Sequence, residues 1–292
     1  MFRSFVALLL APALMPAPVR STGAAALRPA QRQTLALQVQ LDRAHFSPGE
    51  IDARGGSNTR AAQAAFAASG LTPDTTAATI AYTITDADVA GPYAEVPADM
   101  MEQSKLPALT YATILEALGE RFHASPALLK ALNPKATFAA GEQIEVPNVT
   151  RPALAGVAKV VVDQSDRAVL AYDAAGKIIA RYPASMGSEH DPLPVGDWKI
   201  NGKADGPVFN YNPDLFWDAD LTHSKAKIPA GPNNPVGLVW IDLSKEHYGI
   251  HGTPRPENVG KTQSHGCIRL TNWDAVELGA AVKAGMPAVL QE

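Results

Sequence analysis

His251-Gly252-Thr253-Pro254 and, after a polar run, Ser264-His265-Gly266-Cys267-Ile268-Arg269-Leu270 form the stretch on which the reading of this chain turns. Cys267 is the only cysteine, so it forms no internal disulfide, and two histidines stand close to it in sequence. A free thiol is barely ionised at neutral pH, and the thiolate is the nucleophile. A neighbouring imidazole that takes the proton therefore turns a poor nucleophile into a good one. The run Tyr248-Gly249-Ile250 ends a predicted strand, and Ile268-Arg269-Leu270 begins another. The loop between them is rich in Pro, Asn, Gly, Lys and Ser, so its return brings both side chains to one end of a sheet. Gly252 and Gly266 allow sharp turning or close approach of a substrate. A buried, inert cysteine is the ordinary alternative for a lone Cys, and a zinc site is the alternative for a His/His/Cys set. Neither a tight ligand pair nor a fourth ligand is visible in the sequence.

Outward from this stretch, the period from Ala158 on is two. Val160–Val162, Ala168–Tyr172 and Lys177–Tyr182 read as a meander, with further strands at Val195–Ile200 and Gly237–Leu243. Thr271 with Asp274 reads as a capping pair opening a helix from Asn272 to about Val282. Gly285 closes it, and Ala288–Leu290 is a last strand. Between the strands the long segment Asn210–Asn234 carries Tyr211, Phe216, Trp217 and His223. Long loops in compact domains tend to carry function. This one is expected either as a lid over the thiol or as an aromatic minicore under a surface loop.

The pattern of His251, a spacer and Ser264-His265-Gly266-Cys267 resembles the signature of the L,D-transpeptidase (YkuD-type) catalytic domain of bacterial cell-wall enzymes. The resemblance implies a mostly-β sandwich with a C-terminal helix over residues 157–292. It implies Cys267 as nucleophile, His251 as general base and the Gly252 carbonyl as the group that orients the imidazole. His265 and the backbone of Gly266 and Cys267 would shape an oxyanion pocket. Where the family often has Asn two places after the cysteine, this chain has Arg269, read either as a hydrogen-bonding scaffold or as a contact for a substrate carboxylate. Ser264, Tyr211 and Trp217 are the other candidate substrate contacts. The implied reaction attacks a peptidoglycan stem peptide, releases D-Ala and passes the acyl group from the cysteine thioester to an amine. It needs no metal or organic cofactor, and a carbapenem is expected to acylate the thiol. An L,D-carboxypeptidase and a non-catalytic peptidoglycan-binding wall protein are the alternatives.

The 292 residues suffice for two or three domains. An apolar fraction of 46% and a charged fraction of 18% are those of a globular protein, and a formal charge of -4 leaves no basic footprint for nucleic acid. Residues 1–26 read as an export signal, because Arg3 precedes the apolar run Phe5–Met15 and then small residues and prolines. That run is too short to span a bilayer. It also has no cysteine to lipidate. A location in the periplasm or cell wall follows, with no stable membrane insertion after the signal is removed. Residues 31–73 read as a helical unit, with Leu35, Val39 and Leu41 on one stripe and Thr59 as a cap, and resemble a peptidoglycan-binding-like module. Residues 74–104 read as a linker that packs against its neighbours and includes a short strand near Thr79–Ile84. Residues 105–149 order two helices, Asn133-Pro134 and a strand before Pro147, and resemble a LysM-type glycan-binding module. The expected whole is a multidomain protein in which small α-helical and α+β modules precede the catalytic domain. Its partners would be peptidoglycan stem peptides and glycan strands.

Overall fold

A computed structural model describes residues 27–292; the expected export signal lies outside the described residues. In chain order it contains α1 (Pro29–Arg43), α2 (Ser57–Ser69), β1 (Thr79–Thr83), α3 (Asp86–Val89), α4 (Met100–Gln103), α5 (Ile114–Arg121), α6 (Pro126–Leu132) and β2 (Gln143–Pro147). The second half follows as β3 (Lys159–Asp163), β4 (Ala168–Tyr172), β5 (Ile178–Pro183), β6 (Gly196–Asp205), β7 (Phe209–Tyr211), β8 (Ala226–Ile228), β9 (Val239–Leu243), β10 (Gly249–His251), β11 (Ile268–Arg269), α7 (Asn272–Ala281) and β12 (Pro287–Gln291).

Eight strands of the second half form one mixed sheet in the order β11-β10-β9-β6-β12-β3-β4-β5. The expected sandwich is thus a single curled sheet. Just past β5, Ser185 pairs with Arg269 of β11, each donating its backbone N–H to the other's carbonyl, at 3.0 and 2.8 Å. The two edges of the sheet therefore meet, which removes the open edges that would otherwise invite strand addition. Alternation supplies the core: Val160, Val162, Val169, Ala171, Ile241, Ile250 and Ile268 point inward and are buried. Each such side chain contributes about 1.5–3 kcal/mol by leaving water. Ala275 and Leu278 of α7 complete the same core. Thr271 caps α7 as expected, its hydroxyl accepting from the Asp274 N–H at 3.2 Å.

The N-terminal stretches expected as separate modules share one apolar cluster. Leu35 and Val39 of α1 pack with Leu118 of α5, Leu128 and Leu132 of α6, and Ile144 of β2. The segment expected as a linker supplies β1, which runs antiparallel to β2 with Thr79 opposite Pro147. Residues 74–104 thus pack into their neighbours through this strand. Neither β1 nor β2 could be stable alone, and pairing satisfies the backbone groups of both. Thr59 is not a cap: α2 starts at Ser57, and the Thr59 hydroxyl accepts from Gln38 at 3.2 Å inside the fold.

This N-terminal unit docks on the curled sheet through a buried ionic network. His45–Ser47 lies along β5, with the Ser47 N–H donating to the Arg181 carbonyl at 2.8 Å. Arg151 joins Asp42 of α1 (Nη1 to Oδ2, 2.6 Å) to Glu277 of α7 (Nε to Oε1, 2.7 Å). Burial alone would raise the Asp42 carboxyl, but His123 and Arg151 together hold it below the ordinary carboxylate range. Removing one partner of a buried pair strands the other. Arg151→Ala should therefore cost about 3–5 kcal/mol of stability, read as a lowered urea midpoint. An unchanged midpoint would show that the network contributes nothing to the docked state.

Candidate active site

The site is built where β10 and β11 run parallel, with Ile250 opposite Ile268 and His251 opposite Arg269. Residues opposite one another in this ladder share a face, and the side-chain period along each strand is two. Ile250 and Ile268 take the core face. His251 and Arg269 therefore share the other face, and Cys267 stands in the bend immediately before β11. The two strands that flank the loop are parallel neighbours rather than a hairpin.

His251 is 3% exposed. Its Nδ1 lies 2.6 Å from the Gly252 carbonyl oxygen. A carbonyl only accepts, so Nδ1 carries the proton and Nε2 keeps a free lone pair. Trp240, opposite His251 on β9, stacks on the ring at 5.5 Å and 17°. Gly249 makes room for that indole: a Cβ there would lie 2.4 Å from it. The Gly252 position is set by Asn272, the first residue of α7. Its side-chain oxygen accepts from the Leu238 N–H at 3.1 Å, and its amide donates to the Pro232 carbonyl at 3.1 Å. A Cβ on Gly252 would meet that oxygen at 2.1 Å, so only glycine fits.

Cys267 is half-buried, and its thiol donates to the His247 carbonyl at 3.7 Å. Burial pushes the thiol up, against the opposing pull of the Gly249 N–H and the Arg269 guanidinium. Burial also drives His251 down to about 3; the Gly252 carbonyl opposes this and the Arg269 charge adds to it. The resting pair is thus neutral thiol and neutral imidazole, not the ion pair that the residue types alone suggest. Arg269 is half-buried among these groups, and burial lowers its own pKa while Cys267 opposes that.

The loop before Cys267 is held tightly. The Ser264 hydroxyl is buried and donates to the Cys267 carbonyl at 2.5 Å, so Ser264 shapes the loop and is not presented to a substrate. Gly266 has φ +94°, and a Cβ there would meet Tyr248 at 2.9 Å. His265 donates from Nε2 to Asp218 at 2.9 Å, with the Phe216 ring 5.2 Å away and Trp217 at 6.0 Å. Trp217 is 62% exposed and also stacks on His190 at 4.4 Å. Tyr211, a candidate substrate contact by sequence, is instead 6% exposed in an apolar cluster with Leu109 and Ile228. The segment Asn210–Asn234 therefore contributes an aromatic minicore through Tyr211 and Phe216, with Trp217 beside His265 and His190. Asp218, Trp240, Tyr248 and Asn272 were not singled out from the sequence, because each acts across the fold from the motif. Among the described residues no group of three or more His, Cys, Asp or Glu is arranged to hold a metal ion.

The second half of the chain is similar to known proteins. The family model for the YkuD L,D-transpeptidase catalytic domain matches residues 158–290. Proteins named L,D-transpeptidase YkuD from Bacillus licheniformis and Bacillus subtilis are 29% and 28% identical over 174 and 173 residues, 59% of this chain and 89% of each relative. A solved L,D-transpeptidase from Mycobacterium smegmatis is similar at 21% identity and a TM-score of 0.38, over 53% of this chain and 65% of that one.

Proposed function

We propose that residues 158–290, which match the YkuD L,D-transpeptidase catalytic domain, make this chain an exported cysteine transpeptidase, an acyltransferase acting on peptidoglycan stem peptides. The observation that carries the reading is the placement of His251 on β10 and of Cys267 immediately before β11, the parallel neighbour of β10, with the Gly252 carbonyl fixing the proton on Nδ1. Nε2 is thereby the free base.

The reaction runs in two halves. A stem tetrapeptide presents the amide between its third residue and the terminal D-Ala. The thiol proton passes to His251 Nε2, the sulfur bonds to the amide carbon, and the oxygen becomes an oxyanion facing the backbone N–H groups of Gly266 and Cys267. As the carbon–nitrogen bond breaks, the imidazolium returns the proton to the leaving amine of D-Ala. The acyl group then sits on Cys267 as a thioester. An acceptor amine attacks this thioester, His251 takes the amine's proton, and the sulfur leaves and takes that proton from the imidazolium, which restores the neutral thiol and imidazole. Arg269 supplies a fixed cation beside the sulfur and is placed to receive the free carboxylate of the departing D-Ala. The N-terminal unit would hold the domain on glycan strands.

The test is incubation of the purified chain with a disaccharide tetrapeptide ending in D-Ala, followed by mass spectrometry. D-Ala release together with a crosslinked dimer supports transfer to an amine. Release without a dimer points to water as the acceptor, a carboxypeptidase, and no release under any condition rejects the catalytic reading.

A further inference from the structure

Outside the motif, one chain of contacts links the N-terminal unit to the reacting groups. Val96, Met100, Met101 and Leu106 of the segment before α5 pack against Phe209, Tyr211, Phe216 and Ile228 at the base of the lid. Backbone bonds pin this segment: Leu109 donates to Ala230 at 3.0 Å and accepts from Asn233 at 3.1 Å. Gly231 lies so close that a Cβ would meet the Leu109 carbonyl oxygen at 2.1 Å. At the centre stands His223, whose Nε2 lies 3.0 Å from Asp99 Oδ2 and whose Nδ1 lies 2.9 Å from the Tyr211 hydroxyl. The carboxylate only accepts, so Nε2 carries the proton and the Tyr211 hydroxyl donates to Nδ1. Both ring nitrogens are used, one by each side of the junction. Tyr211 in turn packs on Phe216 at 5.6 Å, and Phe216 meets His265 edge-on, beside Asp218.

We propose that His223 is a positioning residue: the relay from Asp99 through His223 to Tyr211 lets the N-terminal unit fasten the lid, so that Phe216, Trp217 and Asp218 hold His265 in register beside Cys267. The proposal rests on the reading of Cys267 as nucleophile. It differs from a purely local lid because the residue that sets lid position answers to Asp99, which lies 124 positions away along the chain. The N-terminal unit is then part of the catalytic apparatus and not only a tether. Displacing groups around a reaction centre by about 1 Å can cost up to about 100-fold in rate.

The experiment compares acylation of Cys267 by imipenem with its alkylation by iodoacetamide, a small reagent that needs no lid. Both are read by mass spectrometry on the full chain. His223→Ala is expected to slow acylation by at least about threefold and up to about 100-fold, while alkylation stays unchanged or rises. Asp99→Asn still caps α4, since Asn is as good a cap as Asp; it should act in the same direction. Its effect should vanish in the His223→Ala background, because the two residues act through one contact. Tyr211→Phe removes only the hydroxyl and provides the test if His223→Ala does not fold; it too should slow acylation selectively. The proposal is overturned if folded variants acylate within threefold of the native chain, if alkylation falls in parallel, or if the double variant is additive. Failure of the native chain to acylate at all would remove the nucleophile reading, and this proposal with it.

Discussion

Cys267→Ala is expected to abolish turnover of a tetrapeptide stem, with a loss of about 10⁴-fold or more, while the fold is retained. The size follows from the chemistry: without sulfur no thioester forms, and only binding and the oxyanion pocket remain to act on water. Retention of the fold follows from the site. Cys267 is half-buried in the bend just before a two-residue strand, and the loop is held by Ser264, Gly266 and Tyr248 rather than by the sulfur. Mass spectrometry after imipenem treatment should show one adduct on the native chain and none on the variant. An equal adduct on both would place the nucleophile elsewhere.

His251→Ala should cost about 10²–10⁴-fold in acylation, the range for loss of a positioned general base. The pH dependence should be distinctive. With His251 held down to about 3, the imidazole remains neutral at every pH above about 4, so the native rate should show no acid limb near the ordinary histidine range. The thiol lies above its ordinary value, so direct alkylation of Cys267 should rise about tenfold per pH unit through neutrality without levelling below pH 9. The sign is set by burial: it disfavours the charged form of each group, lowering the base and raising the acid. Proton transfer in the resting site is therefore uphill and is expected only once a substrate carbonyl is present to carry the charge onward to the oxyanion pocket. A plateau of alkylation near pH 6–7 would instead reveal a standing thiolate–imidazolium pair and refute this account.

Stability and catalysis share elements here. α7 supplies Asn272 beneath Gly252, and the same helix supplies Glu277 to the buried network with Arg151 and Asp42. Arg151 and Gly252, the residue after His251, thus meet the same helix.

Much was legible from residues alone, for reasons that are local. A single cysteine beside two histidines and two glycines limits the chemistry. Period-two runs predict β3, β4 and β5, and Thr271 with its neighbours predicts the start of α7, because alternation and capping depend on residues within a few positions of each other. Closure of the sheet through Ser185 and Arg269, the pairing of β1 with β2, and the strap of residues before α5 against the lid were decided only by the tertiary structure. So were the roles of Asp218, His223, Trp240 and Asn272, whose partners lie far along the chain. The charge state of the site belongs to the same class. Neighbours in sequence suggested an ionised sulfur, but the cost of charge depends on how much water the assembled fold excludes, and that is a property of the packed sheet rather than of any segment.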